Sequence, residues 1–477
     1  MIGIAIAVIL LAFLAVVLVR TLKFTPKAQP ECSQESVELN QDAVVHALSE
    51  LVRCKTISYH DSSLEDDAEF RKLIDKLPGL YPHVFKACTL RELPDRALLF
   101  RWPGKNHEEP AVLMAHYDVV PVNEENWEKP AFEAVLEDGV LWGRGTLDTK
   151  VTINGVLFAA NQLIAEGFQP EHDIYFAFSG GEEVSGPGAT NVVKLFQEEG
   201  ITPGIVVDEG GAVVEDVFPG VKGPIGLIGI AEKGMIDAQF RCMSAGGHAS
   251  APKPHTPVGI LAKAATRVEG NPFPCHIAGP AALMFDTLGR HSNFLYRMIF
   301  ANMWCFGWVL DLLAKKSGGE MNALLRTTVA FTQMEGSAAP NVIPPEAKMV
   351  ANMRLNPADS VASALENLRK TVNDPLVEIT ALDSSEPSRV SRVDCAAWDK
   401  VAASVAETWR GSVVSPYLMV QCSDCRHWGV ISDKVFRFSA MDLTAQERAT
   451  IHGNNERIRV STACKAVEFY IRLMKKC

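Results

Sequence analysis

The chain has 477 residues, of which 47% are hydrophobic and 22% are charged, so it can form a large core and more than one domain. Its formal net charge of −11 argues against a nucleic-acid partner, because nucleic acids are bound mainly through basic patches. The eleven cysteines lack the spacing of a disulfide framework. Cys422 and Cys425 form a CxxC pair with no second CxxC nearby, and we interpret this pair as structural.

The N-terminus carries an uncharged apolar segment, residues 2–19, which is followed by Arg20, Lys23 and Lys27. Its length is at the short end of what is needed to cross a bilayer. No basic segment precedes it and no clear cleavage site follows it, which favours a membrane anchor over a removed signal peptide. We therefore predict an anchor or signal over residues 1–23. Both interpretations place the chain in the secretory pathway, either membrane-anchored by a single span or secreted.

After a polar linker over residues 24–40, short apolar segments alternate with amphipathic helices, as in an α/β fold. Apolar side chains at helical spacing between residues 153 and 164 predict one such helix. Strands are predicted where short apolar runs occur, at residues 111–115, 174–178 and 205–207. The pattern predicts a mixed, mainly parallel sheet sandwiched by helices.

A second unit is predicted to begin near residue 231. Residues 232–241 and 327–333 are typical of strands, and residues 257–268 are typical of a helix. This order predicts an inserted α+β domain that interrupts a catalytic domain. The predicted divisions are a first catalytic part at 41–230, the insertion at 231–354, and a second catalytic part at 355–477.

Within the insertion, residues 294–313 are strongly apolar and include several aromatic side chains. Arg297 and Asp311 argue against a membrane span there. Two roles are open for this segment. It lines an apolar pocket, or it packs inside the insertion or between subunits.

Acidic residues and histidines follow the predicted strands at four places. The motifs are His116-Tyr117-Asp118, residues 143–148 ending at Asp148, Glu182-Glu183, and Asp208-Glu209-Gly210-Gly211. In an open parallel sheet, side chains at the carboxyl ends of the strands converge at one edge. Imidazoles and carboxylates bind zinc, and a neighbouring carboxylate that is not a ligand can act as a general base. Each motif alone also fits an ordinary ion pair or turn, but the set predicts a two-metal site.

Together with Gly247-His248-Ala249-Ser250 and Ile451-His452-Gly453, these motifs resemble the aminoacylase/carboxypeptidase family of co-catalytic zinc metallopeptidases. The resemblance covers the chain from about residue 43 to its end. Residues 341–345, 423–427 and 452–458 are most similar to the carboxypeptidase S and N-fatty-acyl-amino acid synthase/hydrolase branch. Thr149 and Gly181 stand where that branch often has acidic residues. Neither position is an implied metal ligand, so these two departures change only the surroundings of the metal site.

The resemblance implies two zinc ions per subunit. The implied ligands are Asp148 as the bridge, His116 and Asp208 at one ion, and Glu183 and His452 at the other. The implied catalytic residues are Glu182 as the general base, Asp118 as the residue that orients His116, and His248 as an oxyanion-stabilising group that reaches the site of a partner subunit.

The insertion would then be a lid and dimerisation domain, which implies a homodimer. Asn341 and Arg354 would contact the substrate, Arg354 by pairing with its free carboxylate. Without the resemblance, His248 is interpreted as a turn histidine and Arg354 as a surface ion pair.

The favoured activity is the reversible hydrolysis and synthesis of N-fatty-acyl amino acids, because the apolar segment 294–313 offers surface for an acyl chain. One alternative is a carboxypeptidase or aminoacylase that cleaves short peptides or N-acyl amino acids. A second is an inactive membrane-bound binding protein, associated with the bilayer through residues 2–19. The presence of Glu182 and all five implied ligands disfavours this second alternative.

Overall fold

The computed structural model describes residues 1–30, 33, 35–277 and 279–477. Within these residues the helices are α1 (Ile2–Lys23), α2 (Gln41–Val52), α3 (Asp67–Leu80), α4 (Pro82–Ala87), α5 (Lys150–Ala165), α6 (Gly188–Glu198), α7 (Pro257–Gly270), α8 (Gly279–His291), α9 (Phe294–Ala301), α10 (Met303–Ser317), α11 (Gly319–Leu325), α12 (Val361–Val372), α13 (Ala396–Thr408), α14 (Ala445–Arg448) and α15 (Val460–Met474). The strands are β1 (Thr89–Leu93), β2 (Ala97–Trp102), β3 (Asn106–His116), β4 (Val135–Glu137), β5 (Val140–Trp142), β6 (His172–Ser179), β7 (Ile205–Val214), β8 (Ile225–Glu232), β9 (Gly234–Met243), β10 (Gly247–His248), β11 (Thr328–Glu335), β12 (Val342–Ile343), β13 (Glu346–Leu355), β14 (Val377–Ser385), β15 (Val413–Met419), β16 (Val435–Leu443) and β17 (Arg457–Arg459).

The central sheet has eight strands in the order β1-β2-β6-β3-β7-β16-β8-β15. Its middle strands, β6, β3, β7 and β16, pair in parallel, whereas β1 and β2 add an antiparallel edge. Helices cover both faces, as β3 shows: Leu113 packs in the same core as Val156 of α5, and Met114 packs with Val192 of α6. A strand buried on both faces is apolar without alternation, which explains the unbroken run at 111–115. The predicted α/β class with a mainly parallel sheet is confirmed.

A second sheet, in the order β11-β13-β9-β14, forms the inserted α+β unit with helices α7 and α12. Its core joins Phe240 of β9, Leu261 of α7 and Leu368 of α12. The unit begins close to the predicted residue 231, but its sheet continues through β14 to Ser385. The predicted boundary at residue 354 therefore lies inside this unit, at the end of β13.

Helices α8 to α11 form a layer that is inserted in sequence between α7 and β11. They pack on the central sheet rather than on the second sheet, because Phe285 and Leu324 share a core with Ile225 of β8 and Leu418 of β15. The predicted apolar segment, residues 294–313, forms α9 and most of α10, and the chain bends by 111° between these two helices.

Helix α1 is long and apolar enough to cross a membrane by length and composition, and nearly all of its side chains are exposed. The predicted linker, residues 24–40, contains no helix or strand in its described part. Glu31, Cys32 and Gln34 of that linker lie outside the described residues.

Candidate metal centre and apolar cavity

Three neighbouring parallel strands bring acidic and imidazole side chains to one edge of the central sheet. His116 is the last residue of β3, Glu182 and Glu183 lie in the short turn that follows β6, and Glu209 lies within β7. Because β6, β3 and β7 are adjacent and run in the same direction, their carboxyl-terminal ends meet at this edge.

Two loops complete the group. Asp148 lies between β5 and α5, and His452 lies between α14 and β17. One carboxylate oxygen of Asp148 is 2.9 Å from Nε2 of His116, and the other is 3.0 Å from Nε2 of His452. Nε2 of His452 is also 3.0 Å from Oε2 of Glu183. The Asp148 carboxylate therefore lies between two imidazoles and faces each with a different oxygen, which is the arrangement of a bridging ligand.

A further carboxylate lies beside these four side chains, and it belongs to Glu209 rather than to Asp208. Oε1 of Glu209 is 3.4 Å from Nε2 of His116. The carboxylate of Asp208 points elsewhere and accepts the backbone N–H of Cys425 at 2.9 Å. The family resemblance implied that Asp208 and His116 bind one ion. In the described residues no ion pair joins them, and Glu209, a residue that we had not assigned, lies beside His116 instead.

Consecutive residues of a strand face opposite sides of the sheet, so Asp208 lies with Val206 on the side of Cys425 and Glu209 lies on the other side. Beyond Glu209 the strand becomes irregular. The pairing of β7 with β16 is regular as far as Asp208 and Arg437, then shifts before Gly211. Gly210 has a φ of +143°, which side-chain-bearing residues rarely adopt, and a Cβ on Gly211 would meet the carbonyl oxygen of Leu227 at 1.9 Å. The irregularity interrupts the alternation of side chains along β7. The two adjacent glycines were the sequence signal for it.

Asp118 joins His116 to the glutamate pair. Its carboxylate accepts the backbone N–H groups of Glu182 at 3.1 Å and Glu183 at 3.2 Å, and the hydroxyl of Ser58 at 2.6 Å. Nδ1 of His116 is 3.0 Å from the backbone oxygen of Asp118 and 3.4 Å from its carboxylate. Asp118 therefore orients the imidazole and fixes the turn that carries both glutamates.

A buried ion pair fixes the two loops. The guanidinium of Arg144 is 2.6 Å from Glu456 and also donates to the carbonyl of Gly453, next to His452. The other oxygen of Glu456 accepts the N–H of Leu147 at 2.7 Å and that of Asp148 at 3.2 Å. In the sequence, Glu456 is part of the motif at residues 452–458 and had no predicted role.

Burial and mutual repulsion act on the carboxylates of this site. Burial raises the pKa of Glu182 well above its usual value; His116 opposes the increase, whereas the carboxylate of Asp424 adds to it. Burial and Asp424 raise the pKa of Asp208 to about 7. Burial and Asp148 raise the pKa of Glu209 to about 8. The folded chain alone therefore does not compensate the negative charge that it concentrates here.

The imidazoles respond in the opposite direction. Hydrogen bonds to Asp148 and Glu183 raise the pKa of His452 to about 10. Burial opposes protonation of His116, but the adjacent carboxylates, chiefly Glu209, raise its pKa well above the usual value.

These donors fit divalent cations. Two groups of side chains have ligand atoms that all lie within 4.8 Å of one another: His116, Asp148 and Glu183, and His116, Glu182 and Glu209. Oε1 of Glu183 is buried and has no hydrogen-bond partner. A buried carboxylate oxygen without a partner costs free energy that a cation would recover. Imidazole and carboxylate donors together are characteristic of zinc and related transition metals.

An apolar cavity of about 490 Å³ begins at these carboxylates. Asp148, Glu183 and His452 line one end. Much of its remaining wall is apolar, with Phe218 from the segment between β7 and β8, Met284 and Leu288 from α8, and Met321 and Leu324 from α11. Glu320, Gln421 and Arg448 add polar groups to the lining. The site therefore combines a charged reaction centre with an apolar chamber of a size typical for small-molecule ligands.

The remaining predicted residues divide into two groups. Nη1 of Arg354 lies 3.2 Å from Sγ of Cys422, which lines the cavity, so Arg354 is close to the cavity wall. His248 and Asn341 lie at the paired strands β10 and β12 and are exposed, and neither lines the cavity of its own chain. Cys422 and Cys425 are both free thiols.

The chain is similar in sequence and in fold to known proteins of one peptidase family. Residues 112–476 match Peptidase family M20/M25/M40. The chain is 32% identical to the probable carboxypeptidase S-like 2 of Dictyostelium discoideum, over 98% of this chain and 92% of that protein. It is 33% identical to an N-fatty-acyl-amino acid synthase/hydrolase of Xenopus tropicalis, over 98% of this chain and 93% of that protein. Among solved structures, an M20 family metallo-carboxypeptidase from Sulfolobus solfataricus superposes with a TM-score of 0.64 at 18% identity, covering 91% of this chain and 98% of that one.

Proposed function

The chain belongs to Peptidase family M20/M25/M40 and is a metallohydrolase that acts on amide bonds, and within that class we propose that it is a di-zinc enzyme that reversibly hydrolyses and forms N-fatty-acyl amino acids. The observation that carries the proposal is the apolar cavity, which extends from the metal-binding side chains to the wall formed by α8 and α11. An amide placed at the carboxylates would direct an acyl chain into that cavity.

His116, Asp148, Glu183, Glu209 and His452 would hold the ions. When bound, two zinc ions would polarise the amide carbonyl and make a water molecule more acidic. Asp148 faces both imidazoles and is therefore the bridging residue in this proposal. Asp208, which the resemblance implied as a ligand, would instead support the loop that contains Cys425.

Glu182 would act as the general base and then return the proton to the leaving amine. Its carboxylate lines the cavity next to Glu183, and its backbone is fixed by Asp118. Arg354 would pair with the free carboxylate of the amino acid. His248 and Asn341, exposed at the tip of the inserted unit, would contribute to the site of a second subunit in a homodimer.

The apolar surface of the cavity has a source other than the predicted apolar segment. The sequence left two roles open for residues 294–313, lining an acyl pocket or packing inside the insertion or between subunits. None of these residues contributes to the cavity wall, to which the flanking helices α8 and α11 contribute instead. Composition identifies an apolar segment but not the direction in which its side chains point.

A carboxypeptidase or aminoacylase acting on short peptides or N-acyl amino acids is the second candidate. The similarity to carboxypeptidase S-like proteins favours it. Either enzyme would use the same metals and base, so the substrate distinguishes them.

The test is to incubate the purified, zinc-loaded full-length protein with oleoyl-phenylalanine and, separately, with a blocked dipeptide. We expect turnover of the lipid amide and its formation from oleate and phenylalanine. Turnover of the dipeptide alone would overturn the fatty-acyl proposal and support the carboxypeptidase.

A cavity variant makes the test specific for the acyl chain. Met321→Trp would fill part of the cavity at α11, and its control Leu283→Trp changes a partly exposed side chain of α8 that does not line the cavity. We expect Met321→Trp to lower turnover of oleoyl-phenylalanine while leaving acetyl-phenylalanine turnover unchanged. Equal effects of the two variants would count against an acyl site in this cavity.

We also propose that α1 anchors the enzyme in a membrane of the secretory pathway. Its exposed apolar length and the basic residues Arg20 and Lys23 in its last turn support an anchor. Recovery of the intact N-terminus in the membrane fraction would be expected, whereas a mature chain that begins after residue 23 would indicate a removed signal peptide.

A further inference from the structure

Helices α9 and α10 present a row of large apolar side chains to the exterior. On α10, Trp304, Trp308 and Leu312 follow one another at intervals of four residues, so they share one face of the helix. Trp304 is 58% exposed and Trp308 is 68% exposed. Phe294 and Leu295 of α9 are also exposed. A continuous apolar surface of this kind marks a binding site rather than an ordinary protein surface.

This surface is attached to α1. The rings of Phe13 and Trp304 pack edge to face with centroids 5.8 Å apart. The buried amide of Asn302, at the break between α9 and α10, donates to the carbonyl of Val17 and to the hydroxyl of Thr21. The surface is therefore continuous with the helix that we propose as the membrane anchor.

We propose that α9 and α10 insert into one leaflet of the bilayer beside α1 and dock the catalytic body on the membrane surface. This inference rests on the proposed anchor and goes beyond it, since a single span needs no second lipid contact. Phe13 lies eight residues before Thr21, or about 12 Å along the helix. With Arg20 and Lys23 at the headgroups, Trp304 would lie roughly 10 Å below them, a depth typical of helices that lie in the interface.

The charged residues of α10 support the same orientation. Lys315 and Lys316 occupy the last turn of α10, beyond the apolar row. Basic side chains at the end of an apolar helix face lie at the headgroups of the lipid. Asp311 is paired with Lys315 and Arg326, so its charge is compensated.

The placement has a consequence for the apolar cavity. Helix α8 packs on α9 and α11 packs on α10, and both α8 and α11 line the cavity. Insertion of α9 and α10 would therefore hold the apolar wall of the cavity close to the leaflet in which fatty-acyl substrates dissolve.

Tryptophan fluorescence tests the inference in the full-length protein. The chain contains eight tryptophans, and all except Trp304 and Trp308 belong to the folded body outside α8 to α11. The protein is reconstituted in phosphatidylcholine vesicles with ordinary or brominated acyl chains, because bromine quenches only fluorophores in contact with the acyl region. Co-flotation with the vesicles reports on anchoring separately from insertion.

We expect brominated lipid to quench up to about a quarter of the emission, since two of the eight tryptophans would be in contact with it. The double variant Trp304→Phe, Trp308→Phe keeps an aromatic ring against Phe13 and should lose the quenching. Trp127→Phe, which changes a half-buried ring of the body, should retain it.

Three results would overturn the insertion. The first is co-flotation without quenching, which leaves the anchor intact and would also be seen if a second copy of the chain covered this face. The second is equal quenching in the wild type and the double variant. The third is failure to float with the vesicles, which would contradict the anchor as well. None of these results depends on catalytic activity, so the proposed reaction is judged separately.

Discussion

The guanidinium of Arg144 and the carboxylate of Glu456 form a buried ion pair, 2.6 Å long, that joins the loop of Asp148 to the loop of His452. These two loops lie on either side of the inserted unit in the sequence, with Asp148 before β9 and His452 after β14. The distance between the Asp148 carboxylate and the His452 imidazole therefore depends on an ion pair that touches neither side chain.

Glu456→Gln should weaken metal binding although it removes no proposed ligand. The amide cannot accept hydrogen bonds from Arg144, Leu147 and Asp148 at once, so the Asp148 loop loses part of its support. We expect roughly 10- to 100-fold weaker metal binding, measured by competition with a chromogenic chelator. The control is Glu128→Gln, an exposed contact of Asn455 in the same loop. Equal affinity in both variants would show that the ion pair is only structural.

Glu209 and Asp208 can be distinguished by paired substitutions. Glu209→Gln removes the carboxylate beside His116, so we expect fewer than two metal ions per chain and a large loss of activity. Asp208→Asn keeps an oxygen that can accept the Cys425 N–H, so metal content should be preserved. Elemental analysis of both purified variants measures the difference. The reverse result would restore Asp208 as the ligand.

Glu182→Gln should separate chemistry from metal binding. The amide cannot take a proton from water, so we expect kcat to fall by about 10²- to 10⁴-fold, as for other general bases. Metal content, measured on the same preparation, should remain that of the wild type. Retention of full activity would rule out Glu182 as the base.

Acyl-chain length should control kcat/KM for hydrolysis. Each methylene buried in the cavity contributes about 0.8 kcal/mol, which corresponds to roughly a fourfold change. A series of N-acyl phenylalanines of increasing length should therefore rise in kcat/KM until the chain reaches α8 and α11, and then level off. A flat series, measured below the critical micelle concentration, would show that the cavity does not bind the chain.

Lys233 should make the free energy of unfolding depend on pH. Burial, with a contribution from Arg354, lowers the pKa of Lys233 to about 7, whereas an unfolded lysine titrates near ~10.4. Between these values the unfolded chain binds more protons, so the free energy of unfolding rises with pH across this window. Below pH 7 Lys233 is protonated in the folded and in the unfolded chain, so the folded chain bears the full free-energy cost of a buried charge.

Lys233→Met removes this proton difference, and its free energy of unfolding should change less steeply between pH 7 and 10, by at most about 1.4 kcal/mol per pH unit. Urea unfolding of both proteins across that range provides the measurement, with Lys263→Met as an exposed control. Parallel pH profiles for wild type and Lys233→Met would contradict the prediction.

The fold class followed from the sequence because burial on both faces makes β3, β6 and β7 continuously apolar. The meeting of His116 with Glu183 was predictable for a related reason, since parallel strands end at a common edge. Asp148 and His452 lie in loops outside that sheet, and only the family resemblance indicated that His452 would join them. The place of Glu209 was missed because the family motif was followed rather than the alternation along β7, which turns the neighbouring residues Asp208 and Glu209 to opposite sides of the strand.

The wall of the apolar cavity was also beyond sequence reasoning. Met284 and Met321 approach the cavity only because α8 and α11 pack against the central sheet, a long-range contact with no local signature. Residues 294–313 have the stronger apolar signal, yet half of their large apolar side chains are exposed. Hydrophobic composition alone does not separate a pocket from a lipid-facing surface.

The close approach of Gly211 to Leu227 links two parts of the site that have been described separately. Leu227 lines the cavity, and its carbonyl presses against the glycine two residues after Glu209. A methyl group at position 211 would push Leu227, and with it part of the cavity wall, out of place. The shape of the cavity therefore depends on the absence of a side chain two residues from Glu209.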